Sequence, residues 1–407
     1  MELNLASPTF KANPYPTFAT LREQEPIRRI TLPDGRTGWL ITRYEDADTV
    51  LRDQRFAKDV RHVFSKEELA QLFPVSQQAG QQLTGAALLN RHMLSADPPD
   101  HTRLRALINL SFTPRLVEQW RERIQAIADE LLDAVQDKGE MDLIDDFAFP
   151  LPMTVITEML GVPPEDRTKF RLWSSEVVEA SGNPETFERT RGDMLLFGAY
   201  LHTLIEEKRK QPAEDLLSKL IQAEAAGDSL SEVELISMVF LLLIAGHETT
   251  LNLIGNGALA LLEHPDQMEK LKRDPELIKT AIEEFLRYQS PVMTSTQRWA
   301  RQDVEFAGQQ MHRGDSVLVV LASANHDTEA FHDPEELDVT RQENRHLAFG
   351  KGIHYCLGAP LARLEGQIAI STLLRRMPNL RLNTMPEKLL WRPGTLLLGL
   401  SKLPVAF

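Results

Sequence analysis

The chain has 407 residues, of which 42% are hydrophobic and 26% charged, the balance of an ordinary globular protein rather than a disordered or fibrous one. Acidic residues outnumber basic ones 59 to 45, and the net charge of −14 argues against a nucleic-acid partner. One cysteine, Cys356, excludes an intrachain disulfide and a multi-thiolate zinc site.

The opening residues have no basic stretch leading into an apolar one, so no signal peptide is expected. The longest apolar run, Met238 to Gly246, is too short to span a bilayer, and a cytoplasmic protein is the expectation. Two β-prone runs between Ile27 and Thr42, joined by Pro33-Asp34-Gly35, read as a hairpin, and a helix is predicted at Tyr44 to Arg52. From about Thr113 to Tyr288 the apolar spacing is helical, with breaks at Gly161-Val162-Pro163-Pro164, Gly182-Asn183-Pro184 and Ala226-Gly227-Asp228. After Pro291 the chain turns to strands, from Val304 to Asn325 and again from Thr395 to Phe407. No repeat, low-complexity stretch or Gly/Ser linker divides it. The expectation is one α+β domain over 1–407, mostly α-helical, with a helical body at about 97–290 and strand-rich parts at about 27–42, 298–325 and 380–407. Segregated helices and strands argue against a doubly wound parallel sheet.

Four constellations carry chemistry. In Asp97 to Arg105, His101 and Arg105 stand i, i+4 on one helix face and can reach one anion. Ser231-x-x-Glu234 is a capping box opening a helix of roughly 45–50 Å that stops before Pro265. Inside it, Ala245-Gly246-His247-Glu248-Thr249-Thr250 interrupts an apolar run. A structural account stands beside a functional one: threonine can bond a carbonyl one turn back, and glycine can admit a close helix. A zinc-protease H-E-x-x-H is excluded because Leu251 stands where the second histidine belongs. Glu284 and Arg287, at i, i+3, form a pair that by itself reads as a solvated ion pair.

The fourth is Phe349 to Gly358. The apolar periodicity after Cys356 places the sulfur at a helix N-terminus, where amides and the macrodipole favour a thiolate. Gly350 and Gly352 let the backbone bring a flat partner near it, and Phe349 can shield it from water. Gly350-Lys351-Gly352 lacks the spacing of a phosphate loop. The sulfur looks like a metal ligand, with inert packing and a nucleophile as the alternatives.

Phe349, Gly352, Cys356 and Gly358 match F-x-x-G-x-x-x-C-x-G, and the segment closely resembles the haem-binding loop of the cytochrome P450 family. The resemblance implies that Cys356 is the axial thiolate on haem iron. The haem is then non-covalent haem b, since C-x-x-C-H is absent. Ala245, Gly246, Glu248 and Thr249 resemble the family's A-G-x-[DE]-T, which implies a groove for dioxygen, a Thr249 hydroxyl facing it and a proton relay through Glu248. His247 has no role in that pattern and reads as helix packing or substrate contact. Glu284 and Arg287 match E-x-x-R, completed by Arg341 as a structural triad. His101 and Arg105 match H-x-x-x-R, and with Arg298 and His354 they are implied contacts of the haem propionates, while Phe349, Gly350 and Gly358 line the cofactor.

The activity implied is that of a soluble bacterial-type monooxygenase. No flavin or nicotinamide fingerprint occurs, so electrons are expected from ferredoxin or flavodoxin served by an NAD(P)H reductase, docking near Arg61 or on the cysteine side. Family analogy places the pocket among the segment before Asp97, residues 165–195, Leu241, Leu242 and Ala245, the turn Pro291 to Thr296 with Val292 and Thr294, and Thr395 to Leu397 with Leu396. These are mostly apolar or small, which suits a macrolide or polyketide, terpenoid, steroid or fatty acid. Two alternatives stand: a hydrogen-peroxide-driven peroxygenase, although such enzymes tend to lack the acid–alcohol pair, and a non-catalytic haem sensor, which needs no proton relay.

Overall fold

The structure, a computed structural model, describes residues 3–32, 37–72, 89–167, 169–170, 173, 184–225 and 228–407. Its axis is the helix Glu232–Glu263, 32 residues and about 48 Å long. The capping box that opens it is formed as expected: the Ser231 side chain accepts from the Glu234 amide, and the Glu234 carboxylate accepts from the Ser231 amide at 2.9 Å. By length and composition the helix could cross a bilayer, yet every residue from Leu251 to Leu261 is buried within the protein. A helix apolar on all faces is a core helix when other helices surround it.

Those neighbours are Pro150–Met159, Ile278–Tyr288 and Ala359–Arg376. Small residues let them in: a Cβ on Gly246 would come 2.9 Å from Ile156, and one on Gly257 2.9 Å from Phe285. The close-packing account of Gly246 is therefore realised, whatever else that residue does. The helical body expected at about 97–290 is present, beginning with Asp100–Ser111.

The larger sheet has five strands in the order Ile27–Thr31, Thr37–Ile41, Ser316–Val319, Arg298–Ala300, Phe56–Ala57. The first pair is the expected hairpin, antiparallel with Ile27 opposite Ile41; its turn at 33–36 lies outside the described residues. Ser316–Val319 runs parallel to Thr37–Ile41, so the hairpin and the post-Pro291 strands make one sheet. Ile27, Trp39, Ile41, Val317 and Val319 bury a second, smaller apolar cluster under it.

Two expectations need correction. Leu321–Ala324 is a helical turn rather than a continuation of the strand, its four residues buried and its last amides bonded back along the turn. The region 380–407 contains only the short strands Arg381–Leu382 and Pro404–Ala406, with isolated bridges between. Pro393 lacks an amide to donate, and Gly394 turns at φ +103°, so a regular ladder cannot form there. Of the expected helix breaks, 182–183 and 226–227 lie outside the described residues.

Glu284, Arg287 and Arg341 are assembled as a network. Arg287 donates twice to Glu284, Nε to Oε2 and Nη2 to Oε1, both at 2.8 Å, and Arg341 Nε donates to Oε2 at 3.1 Å. The first two side chains are fully buried, so this is not the solvated pair that spacing alone suggests. Arg287 also donates to the carbonyls of Asn325 and Pro334, at 3.0 and 2.7 Å, pinning the segment that leads to the cysteine loop.

Candidate haem-thiolate site

The cysteine loop is built by local backbone geometry. Gly350 and Gly352 both adopt φ +69°, a conformation closed to most side chains, and a Cβ on Gly352 would strike the Leu51 carbonyl at 2.9 Å. These turns bring the Cys356 amide to donate to the Phe349 carbonyl at 3.0 Å. The helix begins later than periodicity suggests: its N-cap is Gly358, two residues past the cysteine, and Ala359–Arg376 follows with proline in the first turn. The amides of Gly358 and Ala359 therefore point at the sulfur and donate to it.

Burial pushes the Cys356 thiol up, and the two amides with Arg105 and Arg363 only partly reverse this. The expectation that the helix terminus stabilises a thiolate thus holds in direction but not in outcome. A bound cation is what would complete it, since a coordinating thiol loses its proton. Phe349 is covered by the Arg363 guanidinium, 4.6 Å from its ring centroid, and Arg363 is held by Glu283 at 2.7 and 2.8 Å.

Around Arg105 lies a cluster of basic groups from four distant segments. His101 and Arg105 share a face of Asp100–Ser111, Arg298 opens its strand, and His354 precedes the cysteine. The imidazoles of His101 and His354 are 4.5 Å apart. Sequence reasoning missed a further member, Lys58, which follows the strand Phe56–Ala57 in a spacing that marks nothing; only its burial singles it out. Lys58 Nζ donates to the Thr296 carbonyl at 2.8 Å.

These groups repel one another in a dry space. Burial, then Lys58, Arg298 and His101, push His354 down to about 2; burial likewise pushes Arg298 down to about 10 against the pull of Asp97 and Asp53. Both ring nitrogens of His101, Nε2 of His354 and Nε of Arg298 are buried without a hydrogen-bond partner among the described residues. Native structures rarely leave such atoms unsatisfied, and here they share one unmet need, an anionic acceptor. A haem fits it. Its two propionates match the basic cluster, its iron the amide-flanked sulfur, and its flat face the glycine turn, where nothing lies within 4 Å of a Cβ on Gly350.

On the long helix, Ala245 is exposed and Thr249 half-buried in the middle of an otherwise covered element, so open space faces them. Thr249 Oγ1 donates to the Ala245 carbonyl at 2.9 Å, the backward bond of the structural account, and its oxygen keeps accepting capacity. Glu248 is 1% exposed and takes the Arg392 guanidinium at 2.6 Å, a partner that sequence reasoning missed. His247 is buried; its Nδ1 donates to the Leu243 carbonyl at 2.7 Å and its Nε2 lies 3.4 Å from Glu248 Oε1. Burial pushes the Glu248 carboxyl up, and His247 and Arg392 together more than reverse it, holding it below the ordinary range.

Two expected pocket segments meet by backbone pairing: Met293 donates to the Leu396 carbonyl at 2.8 Å, and Val292 bridges Leu397. Leu241, Val292 and Leu396 remain half-exposed. Leu242 is packed into the main core, and Thr294, 1% exposed, gives its hydroxyl to the Thr395 carbonyl at 3.0 Å. Residues 168, 171–172 and 174–183 of the expected 165–195 portion lie outside the described residues. Arg61 is ion-paired with Asp59.

A family model described as Cytochrome P450 matches residues 185–388. The polyketide biosynthesis cytochrome P450 PksS of Bacillus subtilis (strain 168) is 45% identical over 401 residues, covering 98% of this chain and 96% of that one. The vitamin D(3) 25-hydroxylase of Pseudonocardia autotrophica is 44% identical over 403 residues, covering 99% and 96%. Among solved structures, a myxobacterial cytochrome P450 in complex with myristic acid matches with a TM-score of 0.92 at 43% identity, over 99% of this chain and 98% of that one. With sequence and fold agreeing over nearly its whole length, the chain belongs to the cytochrome P450 family of haem-thiolate monooxygenases.

Proposed function

We propose that the 407 residues form one cytoplasmic monooxygenase domain that binds haem b non-covalently, with Cys356 as its axial ligand. The observation that carries this reading is the set of buried, unpartnered nitrogens on His101, His354 and Arg298, gathered beside an amide-flanked sulfur. In this reading His101, Arg105, Arg298 and His354, with Lys58, neutralise the two propionates, each supplying the charge-assisted hydrogen bond that the cluster otherwise lacks. Phe349, Gly350 and Gly358 shape the floor under the ring and exclude water from the sulfur. Once bound, the haem would supply dioxygen activation, with the thiolate favouring O–O cleavage.

The chain's own contribution on the other face is to place a hydroxyl and a carboxylate. Thr249 offers its oxygen as acceptor while its own O–H donates to the Ala245 carbonyl, and Glu248 belongs to the proton relay that runs through it. Exposed Ala245 leaves the space beside it open, while Gly246 admits the helix that carries Ile156. Glu284, Arg287 and Arg341 act at a distance by holding the segment that leads to the loop.

Members of this family need redox partners and bind apolar substrates; ferredoxin or flavodoxin, with an NAD(P)H reductase, would serve here. Half-exposed Leu241, Val292 and Leu396 and exposed Ala245 suit an extended apolar substrate, in keeping with the polyketide, steroid-like and fatty-acid associations of the relatives. The test is the absorption spectrum of the purified protein, reduced with dithionite and exposed to carbon monoxide. A Soret band at the long wavelength of thiolate ligation is expected. A band at the shorter, histidine-like position, or folded protein without haem, would overturn the reading.

A further inference from the structure

The segment Trp391–Leu400 is gripped from three sides. Its ends pair, with a bridge between Trp391 and Leu400 and the Arg392 amide donating to Gly399 O at 2.9 Å. The long helix holds it through Asn256, whose Nδ2 donates to Leu398 O at 2.9 Å. At Gly399 the fit is so close that a Cβ would strike the Asn252 side-chain amide. From the N-terminal helix Pro8–Ala12, Lys11 reaches in with 1% exposure and no carboxylate partner among the described residues; its Nζ donates to Arg392 O at 2.8 Å and Leu397 O at 2.5 Å. A buried ammonium without a counter-charge opposes folding, so the loop position it secures is held against a real penalty.

This loop presents two side chains to the candidate site. Leu396 is half-exposed where its carbonyl accepts from the Met293 amide next to Val292, and Arg392 pairs with Glu248. The Glu248 side chain is 2% exposed and that of Arg392 20%, so the guanidinium stands between the buried carboxylate and water. Arg392 and His247 are the charged or titratable groups that face Glu248 among the described residues.

We propose that the loop joins substrate seating to proton delivery: Arg392 is the positioning residue of the Glu248 carboxylate, and Lys11 is the clamp that keeps Arg392 and Leu396 in register. This rests on the reading of Glu248 as the proton-supplying acid. While paired, Arg392 holds Glu248 ionised; displaced toward water, it leaves a desolvated carboxylate that takes up a proton, and its return drives that proton off. The productive reaction takes R–H, O2, two electrons from the redox partner and two protons to R–OH and water. The same electrons and protons, delivered without oxygen transfer, yield hydrogen peroxide and unchanged R–H. Peroxide per electron pair therefore reports proton timing.

Infrared difference titration of the holoenzyme, with Glu248→Gln as the blank, locates the pH at which Glu248 protonates. Arg392→Leu is expected to raise it by at least about one unit, a tenfold change in proton affinity. Arg392→Lys should restore most of the shift, and Lys11→Met should produce a smaller shift in the same direction. Peroxide released per NADPH oxidised, with myristate as the probe, should rise in the same order. An unchanged titration in Arg392→Leu, or in Arg392→Gln should the leucine variant not fold, overturns the positioning role. A shift in Arg392→Leu with Lys11→Met like wild type overturns the clamp. Glu248→Gln with wild-type peroxide release instead removes the underlying assignment of Glu248, whatever the other variants do.

Discussion

The loop that carries Cys356 and the loop that carries Arg392 both border the candidate site, but they are made in different ways. In the first, the groups that shape the turn around the sulfur lie within a few residues of it: two glycines at φ +69°, the amide of Cys356 on Phe349, and the amides of Gly358 and Ala359. In the second, the partners are 144 residues away at Glu248 and 381 away at Lys11. Local backbone geometry leaves a motif because it needs particular residues at fixed offsets. Long-range pairing leaves none, because either partner can sit anywhere in the chain that the fold brings near.

The contrast can be broken at several points, the strongest at the cysteine itself. Cys356→Ala should abolish the thiolate-type spectrum of the reduced, carbon monoxide-bound protein outright, since the chain has no other cysteine to supply a thiolate. Next is the support behind that loop: Glu284→Gln leaves Arg287 buried beside a neutral partner and should cost about 3–5 kcal/mol, read as a lower Tm and reduced haem content.

Glu283 sharpens the comparison by pH. Its carboxyl is opposed by burial yet pulled by Arg363 and His346 down to about 2, below its ordinary 4.5. A depressed carboxyl stabilises the folded state above its ordinary value and loses that contribution as pH falls through the folded one. Stability should therefore drop between about pH 4.5 and 2 by at most about 3 kcal/mol, and Glu283→Gln should remove that part of the acid limb in urea titrations. On the other loop, Gly399→Ala forces a methyl against Asn252 and should cost about 1–3 kcal/mol, read as a fall in Tm with the carbon monoxide spectrum unchanged.

Sequence reading reached further at the site than in the C-terminal fold. The capping box, the hairpin pairing and the contact of Glu284 with Arg287 were legible from spacing and turn residues, whereas the full burial of that ion pair was not. Leu321–Ala324 was not, since an apolar run after a strand reads the same whether it extends or coils; its helical turn is set by burial on every side. Nor was the start of the cysteine helix, where periodicity continues through Leu357 although the cap is Gly358.

What the sequence determined by itself was the chemistry that needs fixed offsets: a lone sulfur ahead of a helix, glycines that turn beneath a flat partner, and an acid next to an alcohol on an apolar helix. What only the tertiary structure decided was charge. Lys58 joins His101, Arg298 and His354 in one dry cluster, and Arg392 with His247 sets the state of Glu248, because electrostatic interaction depends on distance and burial, neither of which is written in the order of residues.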